Sequence, residues 1–395
     1  MTMLDATQLP QPDGDAQRAS GLLTDRIRNY IVDSDGRIGF DEFMHMALYE
    51  PGLGYYTGGA VKFGIDGDFV TAPEISSMFG ASVARQCREV LAQTDGDIFE
   101  FGAGEGHLAA NLIAELVKLN ALPKSYKILE LNPLMRDRQR RLLEDLVPEQ
   151  LPRVEWLTEL PICTISGVIL ANEIVDALPV KLFCIRSGSV FERHVCINNN
   201  RFAWLDLPAN DVLTAQVVAR VGNSIVDSGD AYLSEINVGL EPWISDLSRI
   251  LRDGLALIFD YGHARSEYYR SDRTNGTLQC HFRHRAHDDP FWFPGLQDIT
   301  TSVDFTAVAE AADAAGLHVA GFVQQANFLI ACDLLSHAEE RAQGANVKEL
   351  ARLAYETKVL TLPTEMGTRF KVLALTKGYN HALRGFQNRD DRHRL

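Results

Sequence analysis

The segment Phe99-Glu-Phe-Gly-Ala-Gly-Glu-Gly-His-Leu108 constrains the chain most, because it sets three glycines at alternate positions between a short strand and a helix. Residues 97–101 read as the strand and 108–120 as the helix. Glycine is required where a backbone turns tightly and a ligand must approach without a Cβ in the way. The alternation continues beyond the turn: strand 126–131, helix 133–146, strands 153–157 and 167–171, and a fifth strand at 255–261. Strands alternating with helices predict parallel pairing with helices on both faces, an α/β, doubly wound, Rossmann-like sheet.

Two stretches break this rhythm. Residues 180–207 predict antiparallel hairpins turning at Ser187-Gly188 and at 198–200. Toward the end come a helix at 303–315, a strand at 317–328, a helical insert at 331–358 and a last strand at 370–376. Upstream, 22–32 and 40–49 read as helices, and another is expected near 77–93. The expected organisation is a flexible N-terminus (1–20), a helical and loop lobe covering the site (21–94), the Rossmann-like domain (95–380) and a basic tail (381–395). Within the third segment, insertions fall at about 180–250 and 331–366.

Composition narrows the function. With 38 basic against 53 acidic residues the formal charge is −15, which disfavours nucleic acid as a partner. The only basic stretches are His281-Phe-Arg-His-Arg-Ala-His287 and the tail near Arg389 to Arg394, both short. The six cysteines are scattered without a Cys-x-x-Cys pair, as reduced thiols would be. No apolar run reaches membrane-spanning length, and the acidic N-terminus resembles neither a secretory signal nor an Arg-rich presequence. A cytoplasmic location is the expectation.

The glycine turn is spaced Gly102-x-Gly104-x-Gly106, not the Gly-x-Gly-x-x-Gly that seats a pyrophosphate on a helix. Glu100 precedes the glycines and Glu105 lies among them, so a diphosphate is disfavoured, whereas Glu100 could pair with an ammonium. Glu130 closes the next strand, where an acid can accept both hydroxyls of a ribose. A nucleoside with an amino-acid tail and no phosphate is S-adenosylmethionine.

A second constellation is Ile169-Leu-Ala-Asn-Glu-Ile-Val-Asp-Ala-Leu-Pro179. It puts Asn172 and Glu173 at the carboxyl end of the fourth strand, beside the switch point where ligands bind in open α/β sheets. Asp176 would share a face with Glu173 if a short helix began there. The plainer alternative is helix capping by Asn172 and Asp176.

These segments resemble the MidA family of class I methyltransferases. The most specific shared runs are Thr71-Ala-Pro-Glu-Ile-Ser76, in its longer setting from Gly67, and Asn172-Glu-Ile-Val-Asp-Ala-Leu-Pro179. Further matches are Phe40-Asp-Glu-Phe-Met44 with Ala47-Leu-Tyr49, Gly54-Tyr-Tyr56, Glu130-Leu-Asn-Pro133 and Asp260-Tyr-Gly262. Gly276-Thr-Leu278, Asp298-Ile-Thr300, Val303-Asp-Phe305 and Phe370-Lys-Val-Leu373 complete the set. The chain departs from the family at Ala103, where proline is common, at His107, where threonine is, and at His281, where tyrosine is.

The resemblance implies a class I sheet with a terminal antiparallel strand, and S-adenosyl-L-methionine held by Glu100, Gly102, Gly104, Gly106, Glu130 and Asn172, with S-adenosylhomocysteine as product. It also implies a protein acceptor, an arginine on a respiratory NADH dehydrogenase subunit methylated during assembly of complex I. An arginine acceptor needs carboxylates that grip the guanidinium and take its proton; Glu173 and Asp176 are expected there, with Glu74 a third. Whether the chain forms a homodimer is left open.

Two decoys and two rivals remain. Asp33-Ser-Asp-Gly-Arg-Ile-Gly-Phe-Asp-Glu42 resembles the later part of a calcium loop, but that register puts Ile31 where the first carboxylate must stand. His281, His284 and His287 invite a metal, yet Arg283 and Arg285 oppose a cation, and solvated loop histidines, or contacts to an acidic partner, are expected. No metal site is expected. The rival functions are a dinucleotide-dependent oxidoreductase on the same fold and a non-catalytic assembly factor that kept the pocket.

Overall fold

The structure, a computed structural model, describes residues 9–59, 70–226 and 231–395. The chain divides into two compact units: Met1–Phe69, Asp176–Leu240 and Arg265–Ser302 form the first, and Val70–Val175, Glu241–Ala264 and Val303–Leu395 the second.

The second unit is built on one sheet, whose long strands are labelled in chain order: β1 (Asp97–Phe101), β2 (Tyr126–Leu129), β3 (Val154–Leu157), β4 (Ile165–Asn172), β5 (Leu251–His263), β6 (His318–Gln324) and β7 (Phe370–Lys377). Their spatial order is β3-β2-β1-β4-β5-β7-β6. The first five run parallel, and β7 is antiparallel to both β5 and β6. The chain leaves β1 toward β2 and β3, then returns to β4 on the other side. The switch point therefore lies between β1 and β4, where the glycine turn and Asn172 end their strands. β4 is buried along Ile165–Ala171, as a central strand with both faces covered should be. One covering helix, His107–Lys118, turns Leu108, Leu112, Ile113 and Leu116 inward at helical spacing. Another, Pro133–Leu146, starts on Asn132, whose side chain accepts from the Leu134 N–H, with proline at the first helical position.

Near the opposite ends of the central strands, backbones approach very closely. A Cβ at Gly167 (φ +128°) would sit 2.1 Å from the Asp97 carbonyl oxygen, and one at Gly254 (φ +135°) 2.0 Å from that of Gly167. Only glycine fits there.

The first unit carries a five-stranded antiparallel sheet of Arg37–Gly39, Ser189–Asn198, Val180–Arg186 and Tyr232–Asn237, with Arg201–Pro208 also paired to Ser189–Asn198. The two expected hairpin turns are present. Ser187 (φ +49°) and Gly188 (+77°) make one, and Asn199 (+47°) and Asn200 (+60°) the other, with the left-handed residues that two-residue hairpins demand. Phe40, Phe43, Met44 and Leu48 of one helix pack with Leu23, Ile27 and Ile31 of another to form its core.

Several expectations need correcting. The first helix runs Gly14–Asp33 and starts eight residues before 22, because Asp13 caps it by accepting from the Asp15 and Ala16 N–H groups. The span 317–328 is not one strand; β6 ends at Gln324 and the helix Gln325–Ala331 follows. The 303–315 helix begins at Phe305 behind the cap Asp304, and Val303–Asp304 pairs in parallel with the end of β5. His281 and His287 are on the strands Gln279–Phe282 and Arg285–His287, joined by a tight turn at Arg283 and His284, rather than in a loop. The C-terminal segment is packed, with Phe386 buried, and its arginines are ion-paired: Arg384 with Glu89, Arg389 with Asp391, Arg392 with Asp390. Among the described residues, no helix is long and apolar enough to cross a membrane.

Candidate active site

The turn after β1 is left-handed at all three glycines: φ is +52° at Gly102, +52° at Gly104 and +95° at Gly106. A Cβ at Gly104 would meet nothing within 4 Å, so bare backbone faces open space there. Gly106 caps the helix His107–Lys118, and its N–H donates to the Ala103 carbonyl at 2.8 Å. Gly102 donates to the Leu129 carbonyl at 3.0 Å, tying the turn to β2.

Glu130 follows β2, and its carboxylate is held on both oxygens. Oε1 accepts from the Asn132 N–H at 2.9 Å and Oε2 from the Gln139 amide at 3.0 Å. The same amide nitrogen donates to the Gly104 carbonyl at 2.8 Å, so turn and acid are joined through one side chain. Sequence reasoning missed Gln139; its signal is a polar residue on the inward face of Pro133–Leu146, beside Met135 and Leu143. Glu105 of the turn is paired with Arg138 at 3.0 Å.

Glu100 lies inside the sheet, 1% exposed, and accepts from the Tyr126 hydroxyl at 2.7 Å. Burial above all raises its carboxyl, the Tyr126 bond opposes this and the charge of Glu130 adds to it, leaving it pushed up to about 7. The two acids therefore sense each other across β1 and β2.

At the end of β4 the chain bends without starting a helix. Neither the shared helical face for Glu173 and Asp176 nor the capping alternative is what forms. Glu173 sits at φ +55°, its N–H donating to the Phe259 carbonyl at 2.8 Å, and Asn172 Nδ2 donates to its Oε1 at 3.2 Å. Asp260, buried on β5, fixes the bend by accepting from the N–H of Val175 at 3.0 Å and of Tyr261 at 2.9 Å. Glu74 lies in the four-residue helix Ala72–Ile75 and accepts from the Thr71 N–H at 3.1 Å, a capping contact local to that turn. Residues 67–69 of its motif lie outside the described residues.

Asp176 belongs to the first unit, where it is 5% exposed. Tyr49 and Tyr56 stack there at 5.5 Å, Tyr56 donates to buried Asp298 at 2.9 Å, and Tyr49 to the Ala177 carbonyl at 3.0 Å. Burial first, then the charges of Asp298 and Asp176, raise both phenols. No group of three or more metal-ligating side chains occurs among the described residues.

A sheet in this order, with a glycine turn after the central strand and an acid after its neighbour, is the framework of a class I S-adenosylmethionine-dependent methyltransferase. The cradle fits that cofactor: open backbone at Gly104 and a fixed carboxylate at Glu130, with no phosphate-binding glycine spacing. Residues 82–323 match the family described as "Putative S-adenosyl-L-methionine-dependent methyltransferase". A crystal structure from Burkholderia thailandensis, bound to S-adenosyl-homocysteine, is 37% identical with a TM-score of 0.93 over 98% of this chain and 100% of that one. The Drosophila melanogaster "Protein arginine methyltransferase NDUFAF7 homolog, mitochondrial" is 30% identical over 93% of this chain and 88% of its own length. The corresponding Rattus norvegicus protein is 27% identical over 92% and 86%. The chain belongs to this methyltransferase family, and S-adenosyl-L-methionine is its cofactor.

The cytoplasmic expectation does not stand. The curated relatives it matches are named as mitochondrial proteins. The expectation rests on scattered thiols and on the lack of a membrane-length run, a secretory signal and an Arg-rich leader, and such absences carry no information about compartment.

Proposed function

We propose that the methyl group goes to an arginine side chain of a protein, and that this protein is a subunit of the respiratory NADH dehydrogenase, modified during assembly. The relatives named as protein arginine methyltransferases support the acceptor class, since they match over most of the chain. The observation that carries it in the structure is in the first unit, where the buried carboxylates of Asp176 and Asp298 act on the stacked rings of Tyr49 and Tyr56, Tyr56 donating to Asp298 at 2.9 Å. Buried carboxylates beside aromatic faces suit a cation, by charge and by cation–π attraction. The complex I subunit rests on the family resemblance alone.

Transfer is an in-line displacement. A guanidinium nitrogen attacks the sulfonium methyl carbon, the carbon–sulfur bond breaks, and S-adenosylhomocysteine leaves. The positively charged product sheds its N–H proton to a carboxylate. A free guanidinium stays protonated at any physiological pH and is a poor nucleophile while its charge is delocalised, so carboxylates must localise that charge. We assign Glu173 to the proton and Asp176 to the grip, with Glu74 as a third acid. Glu100, Gly102, Gly104, Gly106, Glu130 and Asn172 hold the cofactor.

The test is transfer of labelled methyl from the cofactor to NADH dehydrogenase subunits, followed by mapping of the modified residue. Glu173→Gln is expected to bind S-adenosylhomocysteine as the unaltered chain does and to lose roughly 100-fold or more in transfer, the range of general acid–base catalysis. Full transfer in that variant removes Glu173 from the mechanism. Label on no arginine, with cofactor still bound, would favour the non-catalytic assembly factor.

A further inference from the structure

Gln139 is wholly buried, and both polar atoms of its carboxamide are hydrogen-bonded. Nε2 donates to the Gly104 carbonyl at 2.8 Å and to Glu130 Oε2 at 3.0 Å, while Oε1 accepts from the Trp156 indole N–H at 2.9 Å. An indole nitrogen can only donate, so it dictates which end of the amide is oxygen. Both amide hydrogens then point at the glycine turn and the acid.

We propose that Gln139 is a positioning residue for the cofactor, setting the spacing between the glycine turn and the sugar-binding acid. This rests on the reading that Glu130 takes the ribose hydroxyls. The turn needs such a tether: Gly104 lies at φ +52° with nothing near its Cβ position, and glycine backbone is intrinsically loose. The acid needs it too. With Oε1 on the Asn132 N–H and Oε2 on Gln139, the carboxylate has one orientation, and a diol meets it without a reordering cost. The helix itself is close against the turn, since a Cβ at Gly106 would lie 3.3 Å from the Gln139 Cα.

The experiment is calorimetric titration of the full chain with S-adenosylhomocysteine and with its 2′,3′-dideoxy analogue. The unaltered protein is expected to prefer the hydroxylated ligand. Gln139→Leu is expected to weaken S-adenosylhomocysteine by roughly 10- to 100-fold, the worth of hydrogen bonds to a charged group, and to bind both ligands about equally. Glu130→Ala should do the same, and the double variant should be no weaker than either single one, because the two act as a unit. Loss of general stability would weaken both ligands alike and leave the preference intact. If Glu130→Ala keeps the preference, the reading of Glu130 is wrong; if it loses the preference while Gln139→Leu keeps it, the role of Gln139 alone is overturned. Should Gln139→Leu not fold, Trp156→Phe removes the donor that orients the amide, and a full wild-type preference in that variant overturns the proposal equally.

Discussion

Glu100 is where single-residue chemistry is most exposed to measurement. Sealed within the sheet, its carboxyl titrates near 7 instead of its ordinary value near 4.5. As pH rises, the unfolded chain loses this proton first and the folded one holds it, so the unfolded state binds fewer protons between about 4.5 and 7. The folded state is therefore destabilised across that window, by on the order of 3 kcal/mol once pH exceeds the folded value. Glu100→Gln, which keeps shape and removes the charge, is expected to raise the thermal midpoint at pH 8 and to change it little at pH 4. An equal shift at both would show that Glu100 is ionised at neither, or at both. A bound ammonium would favour the ionised form, so cofactor affinity should climb from pH 6 to 8 in the native chain and lose that slope in the variant.

At the scale of elements, the glycines of the sheet separate into two kinds. Gly167 is pressed against the β1 backbone, its would-be Cβ 2.1 Å from a carbonyl oxygen, whereas Gly104 has open space beside it. Gly167→Ala must push strands apart and is expected to cost on the order of 4 kcal/mol, read as a collapse of the denaturation midpoint. Gly104→Ala should cost only about 1 kcal/mol of left-handed strain, yet abolish cofactor binding by filling the cradle. Equal midpoints for the two would refute this division. The alternating strands and the Gly102–Gly106 turn were legible because their patterning is local and obligatory. So were the hairpin turns at Ser187 and Asn199. The junction at Gln324 was not, because the apolar residues of a buried strand and of a buried helix look alike over seven residues. Tyr232–Asn237 escaped for the opposite reason: Ser234 and Glu235 interrupt its apolar run, and both are buried. Glu235 is satisfied by Tyr268 and Thr277, partners about thirty and forty residues on that no local window contains. Gln139 was hidden likewise, its three partners lying on the glycine turn, on β3 and just past β2.

For the whole molecule, membership of the methyltransferase family commits the chain to one cofactor. Ligand that binds only the folded state adds RT ln(1 + [L]/Kd), about 2.7 kcal/mol at a hundredfold excess over Kd. S-adenosylmethionine or its homocysteine product should therefore raise the thermal midpoint, and NAD at the same concentration should leave it unmoved. A shift with NAD instead would return the chain to the oxidoreductases that share its sheet. The strongly acidic balance of 53 carboxylates against 38 basic side chains acts on the whole surface as well. It favours a cationic segment as the protein acceptor and makes encounter faster at low ionic strength.

Glu173 holds a backbone conformation that glycine would adopt more comfortably. If its carboxylate carries the proton, drift toward glycine at that position would yield a sturdier fold and a dead catalyst. Screens that reward robustness alone would then enrich the wrong allele, and lineages that no longer need the methylation should be free to accept it.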